Sequence, residues 1–468
     1  MTTLTPEFFS RIQMAWTLAF HIIYPSFTIG LGSFILVMET LYIKTRNPEY
    51  LRHCKFWTKL FALTFGMGVV SGIVLSFELG LNWSGYTKAV GPVLGSFFTM
   101  EVLTAFFLEA GFLGIMIYGW NKVGPRLHYF ATVMVVIGTW LSAFWILVAN
   151  SWMQTPTGYS YANGVFDATH WLDVMLTPSL PYRFLHMLIA AWETSIFMVL
   201  GISAWFLLKK RHVDFAKRSF GIALSFAIVL SIAQPFMGDQ SGMEVGADQP
   251  IKLAAMEGVW DTASSVPFLV FAWPDMATAS NKWVVSIPYG ASIIDTRSLH
   301  GTIQGLTSVA PDDRPYVPLV FFGFRIMVAV GMLLLCVAAW GIWLRWRGGL
   351  DRIINSRFFL RACTIVAPLG FLAIICGWIT AESGRQPWIV YGILRTSEAA
   401  TNLHWHQIIT SLVLIVVVYI GVFGAVLYYA AKTIQKGPDD ATAPTSLPGA
   451  LEMATPFLNE NSSPKEGA

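Results

Sequence analysis

"GWITAESGRQPW", Gly377 to Trp388, closes an apolar run long enough to cross a membrane, yet it carries Glu382 and Arg385 where the hydrocarbon should end. A carboxylate and a guanidinium at that depth are costly and mark a functional position by default. The whole chain shares the apolar character of that run. Of its 468 residues 55% are hydrophobic and 12% charged, and the mean hydropathy is +0.58, whereas soluble domains carry about 25% charged residues. These values predict an all-α polytopic membrane protein, because lipid admits only segments whose backbone groups are satisfied internally. The net charge of +3 says little about partners, since in a membrane protein its distribution matters more than its sum. Cys54, Cys336, Cys363 and Cys376 form no CxxC or CxxCH spacing, so no zinc ribbon, disulfide framework or covalently attached c-type haem is expected.

Windows of about 20 apolar residues give nine transmembrane helices, centred near residues 27, 70, 107, 140, 196, 228, 331, 370 and 418. No short apolar run with a small-residue cleavage site opens the chain, so the first span is expected to remain in the mature protein. The connectors after the odd-numbered spans read "KTRNPEYLRHCK", "NKVGPRLH", "KKRHVDFAKR" and "RWRGGLDRIINSR"; with the tail they hold more than half of the 30 Lys and Arg. The positive-inside rule then places the N-terminus on the periplasmic side and the C-terminus in the cytoplasm. The expected organisation is helices 1–6 over residues 1–237, a long periplasmic loop over 238–318, helices 7–9 over 319–435, and a disordered cytoplasmic tail over 436–468. A connector as long as the loop is ordinarily functional or disordered. No internal repeat and no inverted pair of interrupted helices is visible, which argues against a proton-coupled secondary transporter.

The ionisable residues inside spans are His21, Glu39, Glu78, Glu101, Glu109, His186, Glu193, Arg325 and Glu382, with Met327 beside the arginine. Counted along their helices at about 1.5 Å per residue, His21, Glu101, His186, Met327 and Glu382 all fall in the outer half of the bilayer. A single His near a helix end is ordinarily interfacial and a single Met ordinarily core. Together, in a chain with 19 Trp and 34 Phe, they suit haem iron, which takes His and Met as axial ligands and wants apolar walls. A lone His or Glu would leave a coordination position open for a gas. Glu101 and Glu109 lie about 12 Å apart on one helix and within about 80° of each other, fit for a proton relay or for helix–helix hydrogen bonds. His404 and His406 are two positions apart and are expected to point away from each other at an interface. The chain has no adjacent His pair, which sets it apart from haem–copper oxidases.

The stretches "RIQMAWTLAFHIIYPSFTIGLG", "GVVSGIVLSFELGLNW", "EVLTAFFLEAGFLGI", "KLAAMEGVWDT", "FFGFRIMVAVG" and "GWITAESGRQPW" closely resemble subunit I of the cytochrome bd-type quinol oxidases. The resemblance covers nearly the whole chain except the tail and parts of the long loop. It implies two haem b groups, low-spin and high-spin, and one haem d. His186 and Met327 match the axial ligands of the low-spin haem b, with Arg325 beside it. His21 and Glu382 match ligands of the active-site haems, with Glu101 close to the same irons. Arg385 would neutralise propionates, Trp378 would pack between haems, and Arg11 and Asn150 match polar positions near them. Glu109 matches the inner carboxylate of a proton path; Lys252 and Glu257 match the quinol-binding part of the loop, Glu257 as a base to take the quinol proton and Lys252 as a cation to hold an oxygen. The implied activity is oxidation of ubiquinol or menaquinol with reduction of O2 to water in the bacterial cytoplasmic (inner) membrane, generating proton motive force without pumping. The implied partners are a second membrane subunit, subunit II, and a small single-span accessory subunit; no nucleic acid is expected. The loop is of the short type and several details resemble the cyanide-insensitive branch, in which haem b replaces haem d. A haem-binding membrane reductase would keep His186 and Met327 but gives no reason for Glu382, Glu101 and the loop.

Overall fold

The computed structural model describes residues 5–439. Its helices are α1 (Pro6–Thr45), α2 (Pro48–Asn82), α3 (Ser84–Glu101), α4 (Phe107–Tyr118), α5 (Pro125–Gln154), α6 (Trp171–Met175), α7 (Leu180–Leu208), α8 (Val213–Asp248), α9 (Pro250–Glu257), α10 (Gly290–Thr296), α11 (Val317–Asn355), α12 (Arg357–Val366), α13 (Leu369–Arg385), α14 (Thr396–Ala399) and α15 (Trp405–Lys436). Among the described residues nine helical segments are long and apolar enough to span a membrane, α3–α4, α6–α7 and α12–α13 counting as one each. All nine expected centres fall inside them. The expected disordered tail lies, beyond Asp439, outside the described residues.

Local chemistry sets the helix ends. Thr5 caps α1 by accepting from the Phe8 N–H at 3.2 Å, with Pro6 in the first turn, and Asn47 does the same for α2 through the Glu49 N–H at 3.0 Å. Helix α11 breaks at Gly348–Gly349, where Gly349 takes φ 66°. Helix α8 continues to Asp248, past the Gly238 at which the loop was expected to begin; a polar sequence still forms helix where its neighbours pack against it.

Between helices the attraction is packing, not exclusion of water, because lipid tails are as apolar as leucine. Helices α1 and α7 touch at Gly30, where a Cβ would stand 2.3 Å from Ser195 Oγ, and that hydroxyl donates to the Phe27 carbonyl at 3.0 Å. A dry aromatic core of Phe34, Phe56, Trp57, Phe206, Phe215 and Phe359 fills the half of the bundle nearest the basic connectors. Polar residues gather in the other half, where α5, α7, α8 and α13 meet the long loop.

That loop is folded. Helix α9 is buried from Lys252 to Glu257, and an antiparallel hairpin pairs Phe268–Asp275 with Ser280–Ile287. Asn281 ties the two together, donating to the Gly258 carbonyl at 2.7 Å and accepting from Trp260 Nε1 at 3.0 Å.

Candidate functional site

The end of α13 gathers a buried polar cluster. Glu382 Oε1 accepts from Asn150 Nδ2 at 2.9 Å and Gln154 Nε2 at 3.0 Å, both from α5, while its other oxygen pairs with Arg385. Arg385 is 3% exposed, yet its Nε and Nη1 have no partner. Arg183 of α7 donates to Asn150 Oδ1, and its Nε is likewise sealed and unpaired. The Lys252 ammonium is buried against the Gln154 and Gln249 side-chain oxygens, its stem lying along Gly384, where a Cβ would stand 2.7 Å from Lys252 Cγ. Burial, with the Arg183 and Arg385 charges, pushes Lys252 well below its ordinary value. Two guanidiniums and an ammonium thus face Glu382 and Glu244. A buried cluster with surplus positive charge and unused N–H donors is built to receive anionic groups.

The other expected ligands lie on α7, α11 and α1. His186 Nδ1 is sealed without a partner, Gln234 lies 3.4 Å from Nε2, and a Cβ on Gly238 would come 3.2 Å from the ring. Met327 Sδ faces Gly377, where a Cβ would stand 2.8 Å away. His21 Nδ1 is 3.0 Å from Ser71 Oγ, and Gly72 leaves room beside its ring. On the same helix as Ser71, both oxygens of Glu78 are sealed and unpaired. Among the described residues no three His, Cys, Asp or Glu side chains converge as they would on a bare ion; a macrocycle-held iron needs only axial donors of this kind.

Glu101 accepts from Ser142 at 2.7 Å, and Glu109 packs where a Cβ on Gly138 would lie 2.5 Å from its Cγ. A π turn, Val102–Phe106, separates them, so the single regular helix expected here is not what forms. The extra residue in the turn shifts the register, and both carboxyls meet α5 on successive turns, at 138 and 142.

Other expectations are redistributed. Lys252 and Glu257 part company: Glu257 bonds Arg325 at 2.8 Å, while Lys252 joins the Glu382 cluster. Arg325 also lies over the rings of Phe268, Phe321 and Phe324 at 4.2, 4.7 and 5.1 Å. Arg11 stays at the start of α1, 3.8 Å from Glu7 and half-exposed, and does not join the cluster. Trp378 is half-buried on α13. Glu193 accepts from Ser231, and Glu39 pairs with His128 at 2.7 Å. The His404 and His406 rings stack at 5.6 Å instead of diverging, because His404 is the cap residue outside the helix and is freed from its periodicity.

Arg183, Gln154 and Gln249 were missed by sequence reasoning. Arg183 carries a signal after all, standing one turn before His186 on the same face; the glutamines carry none.

The family model for cytochrome bd terminal oxidase subunit I matches residues 9–438. The chain is 34% identical to a cytochrome bd ubiquinol oxidase subunit 1 of Bacillus subtilis, covering 92% of this chain and 94% of that one. It is 33% identical to the cytochrome bd-II ubiquinol oxidase subunit 1 of Escherichia coli, with 92% and 96% covered. The bd oxidase structure from Geobacillus thermodenitrificans superposes with a TM-score of 0.86 at 31% identity, covering 94% of this chain and all of that chain. Family match, full-length relatives and superposed fold agree: the chain belongs to the cytochrome bd terminal oxidase subunit I family and is a quinol:oxygen oxidoreductase subunit.

Proposed function

We propose that this subunit oxidises quinol at its long loop, on the periplasmic side, and passes the electrons to a buried site in the same half of the membrane where O2 becomes water. Bound haem would supply one-electron transfer and oxygen binding, as two haem b and one haem d or a third b-type haem. The observation that carries the reading is the set of sealed, unpaired donors on Arg385 and Arg183 beside the free Nδ1 of His186. Arg385, Arg183 and Lys252 would hold propionates, His186 and Met327 would ligate the low-spin iron, and His21 and Glu382, with Glu101 nearby, would serve the active-site irons. Asn150 and Gln154 orient Glu382 from α5.

Glu257, held by Arg325 and buried at 3% side-chain exposure, is the loop group positioned to accept a quinol proton. Protons for water formation would climb from the cytoplasm through Glu109 and Glu101, which meet α5 at Gly138 and at the Ser142 hydroxyl. Release of protons outside with uptake from inside separates charge without a pump. Subunit II completes the complex.

Haem extraction from the purified two-subunit complex, with pyridine haemochrome spectra of each fraction, tests the reading. Two haem b with one chlorin, or haem b alone at three per complex, are the expected results. A complex with no stoichiometric haem would sink it.

A further inference from the structure

Above Glu257 the loop holds a second set of charges. Asp239 of α8, Glu257 of α9, Asp295 of α10, Arg297 just after α10 and Arg325 of α11 form one group: Arg325 pairs Glu257 at 2.8 Å, Arg297 pairs Asp239, and Asp295 feels the charge of all four. Three carboxylates face two guanidiniums, so one carboxyl has no cation of its own. Asp295 is that one, for its Oδ2 is sealed from solvent with no hydrogen-bond partner. The group is also graded in depth. Side-chain exposure rises from 3% at Glu257 through the half-buried Asp295 to 29% at Asp239 and 49% at Arg297.

We infer that Asp295 is the intermediate proton carrier of quinol oxidation, taking protons delivered to Glu257 and passing them through Asp239 to the outer water. The step balances. Each quinol O–H breaks, its proton moves to the Glu257 carboxylate and on to Asp295, and the two electrons leave to the acceptor that the oxidase reaction already supplies. When Asp295 is ionised the five groups carry one negative charge in excess; when it is protonated they are neutral, so a buried group here binds one proton and does not strand it. Burial, with the neighbouring Glu257 charge, raises the Asp295 carboxyl to about 8, which suits a group that loads and unloads near neutral pH. Arg325, Arg297, Glu257 and Asp239 are the charged groups that face it from the surrounding elements. The inference rests on the reading of the loop as the quinol site.

The test is steady-state oxygen consumption by the whole complex carrying Asp295→Asn, Asp295→Glu or Glu257→Gln, driven either by quinol or by an artificial one-electron donor that bypasses the loop. For Asp295→Asn, quinol turnover should fall by about tenfold and the limb of its pH profile near 8 should vanish, while the bypass rate stays unchanged and Asp295→Glu recovers most activity. Wild-type quinol turnover and pH profile in Asp295→Asn, with Glu257→Gln inactive, would overturn this inference and leave the loop site standing. Normal turnover in both variants would remove the loop site and the inference with it. Loss with both donors, not recovered by Asp295→Glu, would mean that Asp295 merely holds the loop together and would equally overturn it.

Discussion

Two buried acid–base clusters sit at opposite ends of the bundle, and they differ in one respect. Near the basic connectors, Glu39 accepts from Thr132 at 2.6 Å and shares a proton with His128 at 2.7 Å, whose other nitrogen lies 3.2 Å from the Met116 carbonyl; Trp120 covers the ring at 3.7 Å. Every side-chain polar atom of Glu39, His128 and Thr132 has a partner there, and only the Trp120 Nε1 at the cluster's edge has none. Around Glu382, by contrast, Arg385 and Arg183 keep sealed nitrogens without partners. A buried N–H left unpaired costs about 1–3 kcal/mol, more when charged, so a native fold keeps several together only where something else satisfies them. The closed cluster is a pin between α1, α4 and α5; the open one is a cradle.

The contrast can be broken most severely at the ligands. Replacing His186 by Ala or Met327 by Leu should cut quinol-driven oxygen consumption by about 100-fold, the upper range for losing a metal-supporting contact, and reduced-minus-oxidised spectra should lose the low-spin haem. Unchanged spectra would remove those residues from the ligand set. Next in size, Arg385→Gln removes the guanidinium paired with Glu382 and two of the three unpaired nitrogens. The haem-to-protein ratio should drop, with a penalty of about 3–5 kcal/mol for breaking a buried pair; full occupancy would mean the unpaired nitrogens hold nothing.

At the closed cluster the expected effect is smaller and of another kind. Glu39→Gln should lower stability by about 1–3 kcal/mol, read as a fall in melting temperature of the detergent-solubilised complex, with turnover within about twofold of wild type. A collapse in turnover at unchanged stability would make this pin part of the proton path. The last effect is a slope with pH and concerns Asp295. Its carboxyl is raised from 3.8 to about 8 in the folded protein, so between those values the native state holds a proton that the unfolded chain has released. Stability therefore falls as pH rises across that window. Asp295→Asn should flatten that slope in urea or thermal melts taken from pH 5 to 9.

The difference between the clusters also shows which parts of the protein could be read without coordinates. His21, His186, Met327 and Glu382 stood out because ionisable and sulfur-bearing residues are conspicuous against apolar spans. Glu39 and Glu193 stood out by the same rule, yet they proved to be closed pairs; sequence cannot tell a satisfied carboxyl from an open one, because the partners lie 89 and 38 residues away. Gln154 and Gln249 were invisible for the opposite reason, since a glutamine near a span end looks like any interfacial residue.

Hydropathy was enough to find the nine membrane-length helices among the described residues, because lipid imposes length and internal hydrogen bonding on every span. Motif resemblance was enough to name the family. Only the tertiary structure decided that Lys252 belongs with Glu382 and Glu257 with Arg325, that Glu101 and Glu109 both meet α5 across a π turn, and that Asp295 feels the charges of two ion pairs. Those facts depend on which helix faces meet, and that is settled by close packing among distant segments, which no local pattern encodes.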